Sequence, residues 1–162
     1  MAVRASLVLG ADGSTTKGAT SEAISSPEDR VRFLSQRRNA DCIVIGGNTA
    51  RHERYAKTPV DLIIVSHTSP DLLLTNPRAH WWNMHPSEAI EKARSEFGST
   101  IAVEGGIAFI SELLTQGLID ELSLSVTEVV GGENLVQLEQ LLSHFSHIEK
   151  SSESDTIFYE CR

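Results

Sequence analysis

Long apolar runs, paired cysteines and surplus positive charge are all missing from this chain, and each absence removes a class of protein. No stretch of about 18 apolar residues occurs, so no membrane-spanning helix is expected. The N-terminus carries no apolar segment followed by a cleavage site, so no signal peptide is expected. Two cysteines, Cys42 and Cys161, form no CxxC or Cys/His finger spacing, which argues against a disulfide framework or structural zinc. His144 and His147 lie three apart with no third ligand nearby, so no metal site is expected. Lys and Arg number 14 against 22 Asp and Glu, a net charge of −8. Nucleic acid and anionic membranes need clustered cations, so neither partner is expected. A cytoplasmic, reduced setting follows.

What is present suits a globular protein. The 162 residues suggest one domain spanning 1–162. A chain this long buries roughly 70% of its unfolded surface and needs no staple to stay folded. Residues 3–9 read as a strand ending at Gly10, and 11–20 as a polar, glycine-containing loop long enough to be functional. Ser26-Pro27-Glu28-Asp29 starts a helix: a capping hydroxyl, a proline at the first position, then acids in the first turn. That helix runs to about Arg38, with Arg37 and Arg38 complementing its C-terminal end. Residues 42–45 and 61–65 are continuous apolar runs, the signature of interior strands covered on both faces. An edge strand is expected near 78–82, a helix over 86–97 and a strand over 100–103.

Further on, Ile107, Ile110, Leu113 and Leu114 recur at helical spacing, and Gly117 stops the helix. Leu122, Leu124 and Val126 alternate with Ser123, Ser125 and Thr127, which reads as a half-buried strand. A short helix over 135–142 and a hairpin of 145–150 with 156–161 close the chain. The early alternation predicts a parallel α/β sheet with flanking helices, to which the hairpin adds antiparallel strands.

Two stretches stand out. Ile101-Ala-Val-Glu104-Gly105-Gly106-Ile107 and Cys42-Ile-Val-Ile-Gly46-Gly47-Asn48-Thr49 are both apolar runs that end in two glycines before a helix. Such junctions let backbone approach a ligand and aim helix N–H groups at an anion. In open α/β sheets, ligands bind beyond the carboxyl ends of strands. Taken singly, each junction is equally a tight turn, Glu104 a helix N-terminal acid, and Asp12 a turn residue beside Gly13. Neither is a G-x-G-x-x-G fingerprint or a P-loop. Arg30, Arg51 and Arg54 carry the planar fork that clamps phosphates, with solvated surface as the plain alternative. His80, Trp81, Trp82 and His85 form the one aromatic cluster, read as core or interface packing.

Taken in order, these pieces resemble a known family: the reductase domain of the bifunctional riboflavin-biosynthesis deaminase–reductase, within the dihydrofolate-reductase-like superfamily. The resemblance runs through Asp12-Gly13, Ser26-Pro27-Glu28-Asp29-Arg30, Asp41 to Thr49, Ile63-Ile64-Val65-Ser66, Val103-Glu104-Gly105-Gly106, Gly117 to Leu122, Val129-Val130-Gly131-Gly132 and Phe158-Tyr159. It implies a dihydrofolate-reductase-like fold, NADPH as hydride donor, a homodimer, and a phosphorylated small-molecule substrate whose ribose is reduced to a ribityl chain. Gly46, Gly47, Asn48, Thr49, Ser66, Gly105, Gly106 and Ile107 would then contact the cofactor, with Ser66 near the adenosine 2′-phosphate. Asp12 and Glu104 would be the catalytic carboxylates. Asp12, Arg30, Thr49, Arg51 and Glu104 would hold the substrate. The chain departs from the family over 52–57, where His-Glu-Arg-Tyr-Ala-Lys replaces an Asp-Asp-Pro segment, and at Ser6, where a Lys is common. An NADPH-binding protein with a different substrate, or with no turnover, is the alternative expectation.

Overall fold

The computed structural model describes residues 2–162. The elements in chain order are β1 (Ala2–Leu9), α1 (Pro27–Arg37), β2 (Cys42–Gly46), α2 (Gly47–His52), β3 (Asp61–Val65), a 3-10 turn (Asp71–Leu74), β4 (Ala79–Trp82), α3 (Pro86–Glu96), β5 (Thr100–Gly105), α4 (Ile107–Thr115), β6 (Glu121–Val126), α5 (Leu138–Leu142), β7 (Ile148–Glu153) and β8 (Thr156–Cys161). All eight strands join one sheet in the order β4-β3-β2-β5-β1-β6-β8-β7. β1 to β6 run parallel, while β8 is antiparallel to β6 and β7 antiparallel to β8. The expected α/β class with a C-terminal antiparallel hairpin is what forms.

Strand alternation divides the apolar residues between two faces. Cys42 and Val44 of β2 join Ile63, Val103, Leu122 and Leu124 in the larger cluster, under Ile90 of α3 and Ile110 and Leu113 of α4. Ile43 and Ile45 face the other way and join Leu62, Ile64 and Ala102 in a smaller cluster that Ala50 and Tyr55 cover. Burying both faces explains why β2 and β3 are continuous apolar runs. A fully buried Ile or Leu such as Ile110 or Leu113 contributes about 1.5–3 kcal/mol relative to an exposed one.

On that second face the surface changes character from β1 onwards. Ser6 of β1, Ser123 and Ser125 of β6 and Glu160 of β8 make it polar, and α1 lies over it. The Gln36 amide nitrogen donates to Ser123 Oγ at 2.8 Å, and Ser6 Oγ donates to the Gln36 carbonyl oxygen at 3.2 Å. Ser123 Oγ donates to Glu160 at 2.8 Å, and Arg32 pairs with Glu160. The alternation along β6 therefore does not mark a solvent face: Ser123, Ser125 and Thr127 are buried. A polar helix covers polar strand residues, and hydrogen bonds satisfy both sides.

Two boundaries differ from the sequence expectation. α5 starts at Leu138, three residues late, and β7 covers 148–153 rather than 145–150. All six β7 residues are exposed, so no buried alternation marks where it begins. The two-residue turn Ser154-Asp155, with Ser154 at φ 52°, fixes the pairing of Glu153 with Thr156 instead.

Candidate functional site: a cleft at two glycine junctions

β2 and β5 are neighbours, so their two glycine junctions lie side by side at the carboxyl ends of the sheet. The register slips there: Val44 pairs with Val103 but Ile45 with Gly105, which leaves Glu104 as an extra bulge residue. Gly105 has φ +148°, and a Cβ on it would stand 2.8 Å from Thr49 Oγ1. A Cβ on Gly46 would meet Phe109 Cβ at 3.3 Å, and one on Gly47 would meet Ser66 Cβ at 2.8 Å. The glycines thus admit Thr49 and Phe109 against bare backbone. The peptide between Gly105 and Gly106 is cis.

α4 begins at this junction with no side-chain cap and no acid in its first turn. Its leading residues, Ile107, Ala108 and Phe109, line a cavity of about 790 Å³. Free N–H groups and the positive end of the helix dipole make this wall a cradle for an anion. Gly46, Gly47, Asn48, Thr49, Gly105, Gly106 and Ile107 all border the cavity. The opposite wall is α1 and the polar sheet face, including Arg30, Phe33, Gln36, Ser6 and Ser123. Thr15, Thr16 and Ala19 form a rim. They are set there because the Glu133 carboxylate accepts from the N–H of Gly18 and the hydroxyl of Thr16, each at 3.0 Å.

Glu104 borders the cavity too, but its carboxylate is already engaged. Arg37 Nε reaches Oε1 at 3.2 Å, Arg37 Nη2 reaches Oε2 at 2.7 Å, and the Tyr55 hydroxyl donates to Oε2 at 2.8 Å. The side chains of Glu104 and Arg37 are 1% and 8% exposed. Burial pushes the Glu104 carboxyl upward, and the Arg37 and Tyr55 donors oppose it. The Tyr55 hydroxyl is pushed well up, by burial first and then by the Glu104 charge. A guanidinium in this fork stays charged, so the pair is ionic. A carboxylate has about four acceptor sites, and three are taken. Arg37 is therefore no helix-end surface charge: it lies over the Phe33 and Tyr55 rings at 4.8 and 5.4 Å and ties α1 to β5.

The structure leaves Asp12, Arg51 and Ser66 outside the cavity lining, while Arg54 borders it. Asp12 stands in the turn after β1, where its carboxylate accepts from Ser14 Oγ at 2.6 Å, Ser14 N at 3.1 Å and Gly131 N at 2.8 Å. These bonds hold it at about 2, and they join loop 10–20 to loop 129–134. Ser66 and Arg51 lie just outside, on the β3 side of Gly47. Over 52–57, Tyr55 goes to Glu104, and Glu53 accepts from Ser21 N at 2.6 Å. Arg54 is exposed and approaches Glu22 only at 3.7 Å. Of the aromatic cluster, Trp82 is buried against Phe97, His80 stacks edge-on to Phe97 at 5.2 Å, and Trp81 stays exposed. Among the described residues no group of three His, Cys, Asp or Glu is placed to hold a metal.

The family model described as RibD C-terminal domain matches residues 2–156. The chain belongs to the RibD C-terminal domain family. No curated protein matches it. Among solved structures, a pyrimidine reductase-like protein from Corynebacterium diphtheriae has TM-score 0.73 at 16% identity, over 99% of this chain and 91% of that one. A diaminohydroxyphosphoribosylaminopyrimidine deaminase/5-amino-6-(5-phosphoribosylamino)uracil reductase from Thermotoga maritima has TM-score 0.67 at 13% identity. This chain is covered to 99% in that match but spans 56% of the Thermotoga chain. The riboflavin biosynthesis reductase Rib7 of Saccharomyces cerevisiae has TM-score 0.63 at 13% identity, over 99% and 88%. At such identities the likeness shows the shared fold. Among the described residues of this RibD C-terminal domain, no helix is long and apolar enough to cross a membrane.

Proposed function

We propose that this RibD-type domain is an NADPH-dependent reductase. It would transfer hydride to the ribose C1 of a phosphorylated, pyrimidine nucleotide-like substrate, as 5-amino-6-(5-phosphoribosylamino)uracil reductase does. The observation that carries the reading is the pairing of bare glycine backbone with the uncapped start of α4 along one wall of a cavity of about 790 Å³. That wall fits a pyrophosphate, because the Gly105 and Gly106 positions leave no side chain in the way and the Ile107 to Phe109 N–H groups have no internal acceptor. The dinucleotide supplies the hydride. The chain's own residues bind and orient. Gly46, Gly47, Asn48 and Thr49 border the mouth, and Arg30 meets the substrate's anion. Ser6, Gln36 and Ser123 offer hydroxyl and amide groups to its sugar and ring. Glu104, ionised against Arg37, offers its remaining acceptor site to a substrate hydroxyl and does not serve as a proton donor. We infer one domain acting as a cytoplasmic homodimer; the exposed edge strand β7 supports pairing with a second copy.

A second reading, a dinucleotide-binding protein with another substrate or no turnover, draws support from one observation: Asp12 lies outside the cavity lining and Glu104 is engaged. Fluorescence titration with NADPH tests both readings, and a flat titration sinks both. Oxidation of bound NADPH on adding the phosphoribosylaminopyrimidine supports the first reading; binding without oxidation supports the second. Gly105→Ala puts a Cβ 2.8 Å from Thr49 Oγ1 at a φ that favours glycine. We expect it to weaken NADPH binding by at least about tenfold, or 1.4 kcal/mol. Unchanged affinity would remove the backbone contact from the site.

A further inference from the structure

β6 carries two serines on one face, two residues apart, and the hydrogen bonds that tie α1 to the sheet include only one of them. Ser123 stands in register between Ser6 of β1 and Glu160 of β8. Both neighbours are polar, and Gln36 reaches down from α1. Ser123 Oγ accepts from the Gln36 amide and donates to Glu160, each at 2.8 Å. Ser125 stands in register between Val8 of β1 and Phe158 of β8, whose side chains have no hydrogen-bonding atom. It is 4% exposed. Among the described residues its hydroxyl has no hydrogen-bond partner, whereas no fully enclosed side-chain nitrogen or oxygen lacks one. The Ser125 hydroxyl therefore opens on the cavity, which the residue lines.

Stability alone does not account for a serine at this position. It sets a polar group between two apolar neighbours, where alanine would leave nothing unpaired. No group of the protein uses the hydroxyl, so its partner is part of what enters the cavity. The surroundings narrow that partner. Arg32 of α1 lies over the Phe158 ring at 4.3 Å, so the helix roofs this end of the polar face, and its charge is committed to Glu160. Phe33, the next residue of α1, and Val8 line the same cavity and are apolar. A phosphate is better served by the start of α4. Apolar walls with one hydroxyl among them suit a flat, uncharged ring that carries a polar atom on its edge.

We propose that Ser125 hydrogen-bonds a carbonyl or amino group on the pyrimidine-like ring of the substrate and makes the site select for that ring. The proposal rests on the substrate reading of the cavity. A hydroxyl donates to a carbonyl and accepts from an amino group by rotating its proton, so one serine serves either edge atom.

The test compares the wild type with Ser125→Ala and Ser123→Ala. Melting curves come first. Ser125→Ala should melt no lower than the wild type, because no bond within the protein is lost. Ser123→Ala strands Gln36 and Glu160 and should melt lower by roughly 2 °C or more. Calorimetric titrations with NADPH present then use two probes, uridine 5′-phosphate and the ringless ribose 5-phosphate. Ser125→Ala should weaken uridine 5′-phosphate roughly fivefold, the worth of one neutral hydrogen bond, and leave ribose 5-phosphate and NADPH unchanged. A melting loss in Ser125→Ala as large as that of Ser123→Ala would make the hydroxyl a structural group and overturn the proposal. Unchanged affinity for uridine 5′-phosphate, or equal weakening of both probes, would overturn the contact with the ring. Failure of uridine 5′-phosphate to bind the wild type, with NADPH bound, would overturn the pyrimidine reading of the cavity, and the proposal with it.

Discussion

α4 and α1 face each other across one cavity but are attached by opposite means. α4 buries Phe109, Ile110, Leu113 and Leu114 against the sheet. The one buried residue of α1 is Arg37. The rest of α1 rests on polar ties: Gln36 to Ser6 and Ser123, Arg32 to Glu160, and the N-cap Ser26 to Thr156 at 2.6 Å. Apolar attachment is strong and tolerant of shape, since area is what it rewards. Ionic attachment contributes little net stability because desolvation offsets it, yet losing one partner leaves a buried charge exposed to that full cost. The α4 wall is therefore held by buried apolar area, whereas the α1 wall is set by matched polar groups. The 52–57 segment supplies Tyr55 to that second wall.

Removing the key of the ionic attachment should have the largest effect. Arg37→Met strands the Glu104 carboxylate, at a cost of about 3–5 kcal/mol. Urea denaturation reads the loss, and amide exchange should speed up along 27–37 before it does along 107–115. A loss no greater than that of an exposed α1 change such as Val31→Ala would break the contrast. Leu113→Ala on the apolar side should cost about 2–5 kcal/mol, with exchange accelerating across α4 and its strands together. A loss confined to α1 would reverse the assignment of the two attachments.

The smallest effect concerns the loops around the cavity rim. Asp12 is held at about 2, below its ordinary 3.8, by the Ser14 hydroxyl first and then the Gly131 N–H. A depressed carboxyl adds stability above its unfolded value and loses it as pH falls through the folded one. Its share should be complete above about pH 4 and gone near pH 2. Asp12→Asn should abolish that part of the wild type's acid dependence. Matching melting curves for the two proteins between pH 4 and pH 2 would show that Asp12 does not join the loops.

The elements of the site were legible where local chemistry writes them. Ser26, Pro27, Glu28 and Asp29 announce the start of α1, and Ser26 does accept the Asp29 N–H at 3.1 Å. The run 61–65 matches β3 residue for residue. Both glycine junctions were visible as strand-to-helix joints. Arg37 and Tyr55 were not visible as partners of Glu104, because they lie 67 and 49 residues away in the chain and no periodicity links them. Ser123 and Ser125 looked solvent-facing because alternation reports only which residues share a face. What covers that face depends on a helix nearly ninety residues earlier.

The sequence by itself determined the local matters: which runs become strands, where helices begin, and where backbone lies bare at Gly46-Gly47 and Gly105-Gly106. Hydrogen-bonding geometry and apolar spacing act over a few residues, so the chain carries them openly. The tertiary structure alone decided which charges meet. It set Glu104 against Arg37 and Tyr55, drew Asp12 into a loop tie, and left Arg51 beside Ser66 with no ion pair among the described residues. Such pairings follow from strand order and sheet twist, which bring distant residues together and leave no mark in the local sequence.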